Sequence, residues 1–309
     1  MSGKSSDPSA NHIKLTVNER NYFRRVDKFL RKALKDLSLG RIYFLLRKGR
    51  VRVNGKRVRK PSYELNIGDE VSVEVPSDFF DHNKNEKGEI LIPRKMNLDI
   101  LYEDDHILVI SKPPGVPIHP GKKTYGPTLI EGLMYYGEKK NFEPFLVHRL
   151  DKHTSGVLIV AKNRKTARLL GEMMRRRKIH KEYLALVEGG IETGGRIELD
   201  LDGQPAKTWY EPLRFFQRAS VSLLKVKIKT GRKHQIRRHM SSMGHPIVGD
   251  DLYGDREFNL YFRKKYGLRR YFLHAFTVRL VHPIFLEEMT FRSPLPDDLK
   301  KVIENLEEG

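Results

Sequence analysis

The 309-residue chain contains no cysteine. That excludes a disulfide framework, a thiolate nucleophile and a thiolate zinc site. Tryptophan occurs once, and acidic residues are scarce beside basic ones: 39 Asp and Glu against 59 Lys and Arg leave a formal charge of +20. Such an excess predicts a polyanionic partner, nucleic acid or an anionic membrane. Long apolar runs are missing too, none approaching the roughly 18 residues that span a bilayer, and the opening MSGKSSDPSANH lacks the apolar stretch of a secretory signal. A cytoplasmic protein that does not engage membranes is therefore expected. Twelve histidines are present, but HRLDKH and HQIRRH space theirs five apart where metal-binding helices use four, so no metal site is expected.

With 39% hydrophobic residues the chain can build a packed core. Residues 1–19 are polar and mixed, which predicts a disordered tail. From Val26 the pattern changes: Val26, Phe29, Leu30, Ala33, Leu34 and Leu37 keep helical spacing. This stripe fits a core better than a membrane-surface helix, which would carry Lys and Trp at its edges. Ser38 is placed to cap a second helix through LGRIYFLLRK, and Gly49 to end it. VRVNGKRV predicts a tight Asn-Gly hairpin and GDEVSVEV a further strand. Between residues 24 and 75, Lys and Arg outnumber Asp and Glu by fifteen to six. The helix-hairpin segment carries Arg47, Lys48, Arg50, Arg52, Lys56 and Arg57, and the unit over residues 20–76 resembles the RNA-binding module first known from ribosomal protein S-four. Residues 77–97 read as a linker. Beyond it, over 98–309, strand-like runs such as DILYE, HILVISK, GVLIVAK, EYLALVEG, VSLLKVKIKT and FLHAFTVRL mix with helical KTARLLGEMMRRRKI and HQIRRHMSSMG, which predicts an α+β domain.

One junction in that second segment raises a question. HRLDKHTSGVLIV sets a basic-acidic-basic cluster directly against an unbroken apolar run. Charged groups at the mouth of a buried strand cost free energy unless they are paired or used. Thr154, Ser155 and Gly156 read as a turn ending the cluster. Asp151 alone would most often be a capping or salt-bridging residue, and Tyr183 in KEYLALVEG, near a strand start, would be half-buried core. Arg232 and Arg237, in the dense run TGRKHQIRRHMSSMGHPIVGDDLYG, would be surface charges.

HRLDKHTSG, KEY and GRKHQIRRHMSSMGHPIVGDDLYG, taken together and in this order, resemble the three signature stretches of the RluA-type pseudouridine synthases, with supporting similarity in ILYEDDHILVISKP, DGQPAKTWY, GDREFNLYF and FLHA. The front module and DREFN make the chain most similar to the RluC branch, which modifies large-subunit ribosomal RNA. The resemblance implies a mixed, largely antiparallel sheet behind a small N-terminal α/β RNA-binding module, and a monomer that isomerises uridine with no cofactor. Its partner would be ribosomal RNA or an assembly intermediate. Asp151 matches the catalytic aspartate, which either attacks C1′ or removes a proton from C2′. Arg237 matches the arginine that pairs with it through a guanidinium fork, Tyr183 the tyrosine that stacks on the uracil, and Ile236 an apolar wall. Arg149 matches the arginine that fills the space of a flipped nucleotide, its alternative being a salt bridge within the loop. Arg232 and His234 are expected to bind substrate. The stretch MMRRRKIHK is more basic than the family pattern and is expected to add phosphate contacts. Two competing readings are a synthase acting on transfer RNA and a non-catalytic ribosome-assembly protein.

Overall fold

Two compact units, residues 1–92 and 93–309, make up the chain in a computed structural model that describes residues 10–19, 21–34, 37, 39–76, 91–120 and 126–308. The first contains β1 (Ala10–Thr16), α1 (Val26–Ala33), α2 (Leu39–Arg47), β2 (Val51–Val53), β3 (Lys56–Val58) and β4 (Glu70–Pro76). Its sheet has the order β1-β4-β2-β3, with every neighbour antiparallel. Asn54 and Gly55, both at positive φ, turn β2 into β3 as the Asn-Gly pair requires. Gly49, at φ 67, ends α2 in the left-handed region, and the next amide, that of Arg50, donates back to the Leu45 carbonyl. Val26, Phe29 and Leu30 of α1 pack against Ile42, Leu45 and Leu46 of α2 and the valines of β2 and β4.

Three boundaries differ from the sequence expectation. The expected disordered tail contains β1, which pairs with β4 along its whole length from Ala10↔Pro76 to Thr16↔Glu70. Ile13, Leu15 and Val17 recur at a strand period between polar residues, and they pack on or within the core of this unit. Residues 1–9 of that tail lie outside the described residues. Helix α1 closes at Ala33, with the Leu34 amide bonded to the Leu30 carbonyl, while the expected Ser38 cap lies outside the described residues. Of the expected linker, residues 77–90 are likewise outside them, and its far end is structured: the Arg94 amide donates to the Glu131 carbonyl and Met96 packs on the core of the second unit.

The second unit runs β5 (Asp99–Glu103), β6 (Ile107–Lys112), α3 (Leu129–Lys140), β7 (Phe145–Leu146), β8 (Ser155–Ala161), α4 (Arg164–Arg175), β9 (His180–Glu188), β10 (Gly195–Glu198), β11 (Lys207–Phe216), β12 (Val221–Ile228), α5 (Gln235–Ser242), α6 (Arg256–Tyr266), β13 (Leu273–Val281), β14 (Glu288–Arg292) and α7 (Asp297–Glu308). Among the described residues these strands form one mixed, largely antiparallel sheet with the path β10-β11-β12-β9-β13-β8-β6-β5, to which β7 and β14 are attached. The β13–β8 pair is parallel.

Strand β8 is the apolar half of HRLDKHTSGVLIV, and all seven of its residues are buried. Leu158 and Val160 face one core, where they meet Leu108, Ile110, Tyr183 and Ala185. Val157, Ile159 and Ala161 face the other, with Ile107, Val109 and Leu170. A strand covered on both faces has no room for alternation, which explains the unbroken apolar run. Each of its Val, Leu and Ile side chains contributes about 1.5–3 kcal/mol of burial.

Ser155 and Gly156 are not a turn, as their composition suggested, but the first two residues of β8. The turn is one step earlier, at Lys152 and His153, closed by the Thr154 amide on the Asp151 carbonyl at 3.1 Å. Gly156 is needed for a different reason. Its φ is +112°, and a Cβ there would lie 2.1 Å from the Ala275 carbonyl oxygen of β13. Gly156→Ala is therefore expected to lower unfolding free energy by more than about 2 kcal/mol, combining left-handed strain with a backbone clash. Urea denaturation of the two proteins measures it, and equal midpoints would contradict the packing described.

Candidate active site

The polar half of that segment lines a cavity of about 590 Å³ in the second unit, together with residues from β9, β12, the β12–α5 loop and α5. Asp151 sits beside the turn, and its carboxylate is within 3.9 Å of both Arg237 and His234. Neither contact is a hydrogen bond, and among the described residues no donor is bound to the Asp151 carboxylate. At this separation and an effective dielectric of 20, the Arg237 charge attracts it by about 4 kcal/mol.

The guanidinium fork lies elsewhere than expected. Arg237 donates through Nε and Nη2 to the two carboxylate oxygens of Asp250, at 2.6 and 2.7 Å, and turns only Nη1 toward Asp151. Asp250 is fully buried, and its Oδ1 also accepts the amides of Leu252 and Tyr253. A buried carboxylate with four donors is the stronger anchor for a planar fork, whereas Asp151 is partly solvated. The rings of Tyr271 and Tyr253 lie against the guanidinium at 4.4 and 5.0 Å; burial works against its charge, but the Asp250 hydrogen bonds and carboxylate outweigh that and raise its pKa.

His234 occupies a left-handed position, φ 53, at the start of α5, with its Nδ1 at 3.0 Å from the Tyr253 hydroxyl. Burial lowers its pKa despite the neighbouring Asp151, so it is neutral near pH 7 and the charge facing the carboxylate is that of Arg237. Tyr183 is the fourth residue of β9, 6% exposed, and forms part of the cavity wall. Burial, and then the Asp151 charge, raise its hydroxyl pKa, so it stays protonated. Ile236 is buried in the same wall, and Arg232 reaches the Pro205 carbonyl from the rim. Arg149 lines the cavity, exposed, and makes no ion pair among the described residues, so the loop salt bridge considered for it is not formed.

Backbone carbonyls of the Asp151 turn are held by side chains that the sequence did not single out. Fully buried Lys112 gives its Nζ to the carbonyls of Pro113, Val116 and Lys152, at 2.7, 3.0 and 3.1 Å. Burial pushes its pKa down to about 7, yet three carbonyl acceptors require three N–H groups, which only the ammonium supplies. Arg270 donates to the His153 carbonyl at 2.8 Å while its Nε binds Asp298. On the other side of Asp151, His148 accepts the Ile159 amide of β8 through Nε2 at 2.9 Å. A Lys ending a buried apolar strand, as in ILVISK, was the signal that could have found Lys112.

The cations expected to hold RNA lie in the first unit. Arg52 and Arg57 are exposed and directly opposite each other across the β2–β3 hairpin. Like charges so paired repel unless an anion is near. Lys56 is exposed beside the Asn-Gly turn, and Arg47 and Lys48, at the end of α2, lie over the Phe44 ring at about 6 Å. Arg50 differs, being paired with Glu74 at 3.5 Å. Among the described residues no helix is long and apolar enough to cross a membrane, and no group of three or more His, Asp or Glu side chains is placed to hold a metal ion.

Comparison with known proteins follows the two units. An RNA pseudouridylate synthase model matches residues 106–242, and an S4 domain model matches residues 24–71. The "Ribosomal large subunit pseudouridine synthase C" of Escherichia coli O157:H7 is 39% identical, with 98% of each chain covered. Its namesake from Vibrio vulnificus is 37% identical over 94% of this chain and 95% of the relative. Among solved structures, "Human RNA Pseudouridylate Synthase Domain Containing 4" aligns with a TM-score of 0.58 at 28% identity, covering 68% of this chain and 93% of that one. "Human RNA Pseudouridylate Synthase Domain Containing 1" aligns at 0.52, also at 28% identity, over 69% and 96%.

Two consequences of this geometry are measurable. Asp250→Ala strands a buried guanidinium and is expected to cost about 3–5 kcal/mol of stability, read by urea denaturation; a loss under about 1 kcal/mol would show that Arg237 finds another anchor. His148 has its pKa pushed down to about 3, by burial first and the Lys181 charge second. Unfolded histidine protonates near 6.5 while the folded residue does not. Its contribution to stability is thus complete above about pH 6.5 and lost as pH falls toward 3, by up to about 1.4 kcal/mol per unit. His148→Gln should flatten the stability profile between pH 6.5 and 4.5, and an unchanged slope would contradict the neutral buried imidazole.

Proposed function

The chain belongs to the RNA pseudouridylate synthase family, and from that membership we propose that it isomerises specific uridines of large-subunit ribosomal RNA to pseudouridine in the cytoplasm. The substrate follows from the relatives' names and their coverage of nearly the whole chain, S4 domain included. Naked ribosomal RNA and an assembly intermediate present the same nucleotide, and the enzyme acts as a monomer without a resident cofactor.

The observation that carries the reading is the Asp151 carboxylate, free of hydrogen bonds among the described residues and facing the cavity at 3.9 Å from a fixed guanidinium. The reaction breaks the C1′–N1 bond, turns the uracil and joins C1′ to C5. The proton displaced from C5 balances the one gained at N1, so no electrons enter or leave. Asp151 acts on the sugar, at C1′ as nucleophile or at the C2′ proton as base; both require it ionised. Arg237 keeps it so as the cavity dries on substrate entry, when burial would otherwise favour the protonated acid.

Tyr183 offers the detached uracil a ring face inside a wall closed by Ile236. Uridine in a helix must leave its stack to arrive here, at a cost of a few kcal/mol, and Arg149 fills the vacated position. Arg232 and His234 flank the incoming nucleotide. The first unit supplies a sequence-independent grip on RNA through Arg47, Lys48, Arg52, Lys56 and Arg57, with Arg50 shared with Glu74.

Unmodified large-subunit ribosomal RNA carrying tritium at uridine C5 tests the chemistry, since joining C1′ to C5 expels that hydrogen. The wild type is expected to release tritium to water, and Asp151→Asn to release none while binding RNA within about threefold of wild type. Release by the variant would remove Asp151 from the chemistry, and no release by the wild type would count against this substrate. Deleting residues 1–76 is expected to weaken RNA binding and make it less salt-dependent, each lost phosphate contact lowering the slope of log K against log salt by about 0.7–0.9. An unchanged slope would exclude the first unit from the grip.

A further inference from the structure

The cavity carries more positive charge than the reaction at its floor needs. Among its lining residues are eight Lys or Arg and a single carboxylate, that of Asp151. Arg237 is committed to Asp250, and Arg232 to a backbone carbonyl. On the wall made by the end of α4 and the start of β9, however, Arg175, Arg177 and Lys181 line the cavity with no acidic partner among the described residues. Arg176, between the first two, differs in both respects: it pairs with Glu172 at 2.6 Å and does not line the cavity.

Arg177 is held where an arginine is disfavoured. Its φ is +57°, at the residue that follows the C-cap of α4, with its amide on the Met174 carbonyl and the next amide on that of Met173. This is the helix-ending position that glycine ordinarily fills, because a Cβ there is strained. A side chain kept at such a site against local preference points to a use for it.

Lys181 gives the second observation. It is half-buried on β9, its pKa is lowered by desolvation alone, and its Nζ lies 4.0 Å from the Met174 sulfur, with no carboxylate partner among the described residues. A desolvated ammonium without a counter-ion is an anion site waiting for its ligand. It stands two residues before Tyr183, so both side chains emerge on the same face of β9 about 7 Å apart along the strand.

We propose that Lys181 and Arg177 form a phosphate clamp on the α4–β9 wall, gripping the RNA backbone next to the uridine whose base rests on Tyr183. The inference rests on the synthase reading above. It assigns this wall the task of setting how far the nucleotide enters: base on Tyr183, sugar over Asp151, backbone phosphate against Lys181, and the strand leaving past Arg177. Arg175, one step further out, faces the same path. Because phosphates carry no sequence, the clamp fixes depth and register, and leaves the choice of uridine to other contacts.

The test exploits the backbone conformation. Arg177→Gly removes the cation and at the same time relieves the left-handed strain, so a merely structural role and the clamp predict opposite changes. Equilibrium binding of the full-length protein to unmodified large-subunit ribosomal RNA is measured across salt concentrations, alongside thermal unfolding and tritium release. For Arg177→Gly the expected result is an unfolding midpoint equal to or above wild type, a binding slope against log salt smaller by about one, and a KM raised several-fold with a far smaller change in kcat. Lys181→Met, which keeps the aliphatic stem, is expected to act in the same direction more strongly. Arg176→Ala, losing the same charge beside the wall, is the control and should keep the wild-type slope and KM. Equal slopes for Arg177→Gly and Arg176→Ala, or a lowered unfolding midpoint for Arg177→Gly, would overturn the clamp. The synthase reading fails separately, by absence of tritium release from the wild type, and the binding slopes still decide the clamp in that case.

Discussion

Asp250 holds the guanidinium of Arg237 by two hydrogen bonds in a fully buried position, and the site is arranged around that pair. Asn259 of α6 reaches back to the same segment, accepting the Gly249 amide at 2.6 Å and donating to the Asp250 carbonyl at 3.1 Å. The helix begins with its own anchor, Asp255 accepting the Phe258 amide. A chain of contacts thus runs from an outer helix, through a buried carboxylate, to a cation whose remaining nitrogen faces Asp151. Such a buried pair is costly to assemble and costlier to break, so it confers a fixed position more than it confers net stability.

The carboxylate opposite is positioned by other means. Among the described residues no side chain grips Asp151; the backbone on both sides of it is gripped. Lys112 and Arg270 bind carbonyls of the following turn, and His148 ties the preceding residues to β8, itself packed on both faces. This accounts for the sequence junction at HRLDKHTSGVLIV. The strand is the rigid body, the polar cluster is the mouth of a cavity, and its cations are exposed, Arg149 at the cavity and Lys152 in the turn.

What was legible in the sequence divides along the range of the interactions involved. The α1 stripe, the Asn-Gly hairpin and Gly49 are local, set by side-chain period and positive φ, and the structure contains them. The three motif stretches lie far apart in sequence, yet Asp151, Tyr183, Ile236 and Arg237 all line one cavity. Contacts decided by three-dimensional competition were not legible. The Arg237 fork had two carboxylate partners open to it, and only the burial of Asp250 decides between them. Gly156 looked like turn chemistry because the approach of Ala275 cannot be seen from neighbours in sequence. Strand β1 was overlooked because its alternation is short and set in a polar context, and it is the pairing with β4 that stabilises it.

Separating the charge that is held from the charge that reacts has a chemical consequence. Had the fork closed on Asp151, both of its oxygens would carry donors, and their lone pairs would have to be released before either could act on a sugar. With the fork on Asp250, the field of Arg237 reaches Asp151 across 3.9 Å while both carboxylate oxygens stay open to substrate. The same logic extends to the proposed clamp. Lys181 has no acidic partner among the described residues, so an arriving phosphate has no existing ion pair to break. A cavity built this way holds its scaffold with charges already paired and meets its substrate with charges left unpaired, and the desolvation cost of the latter is repaid only when a polyanion is in place.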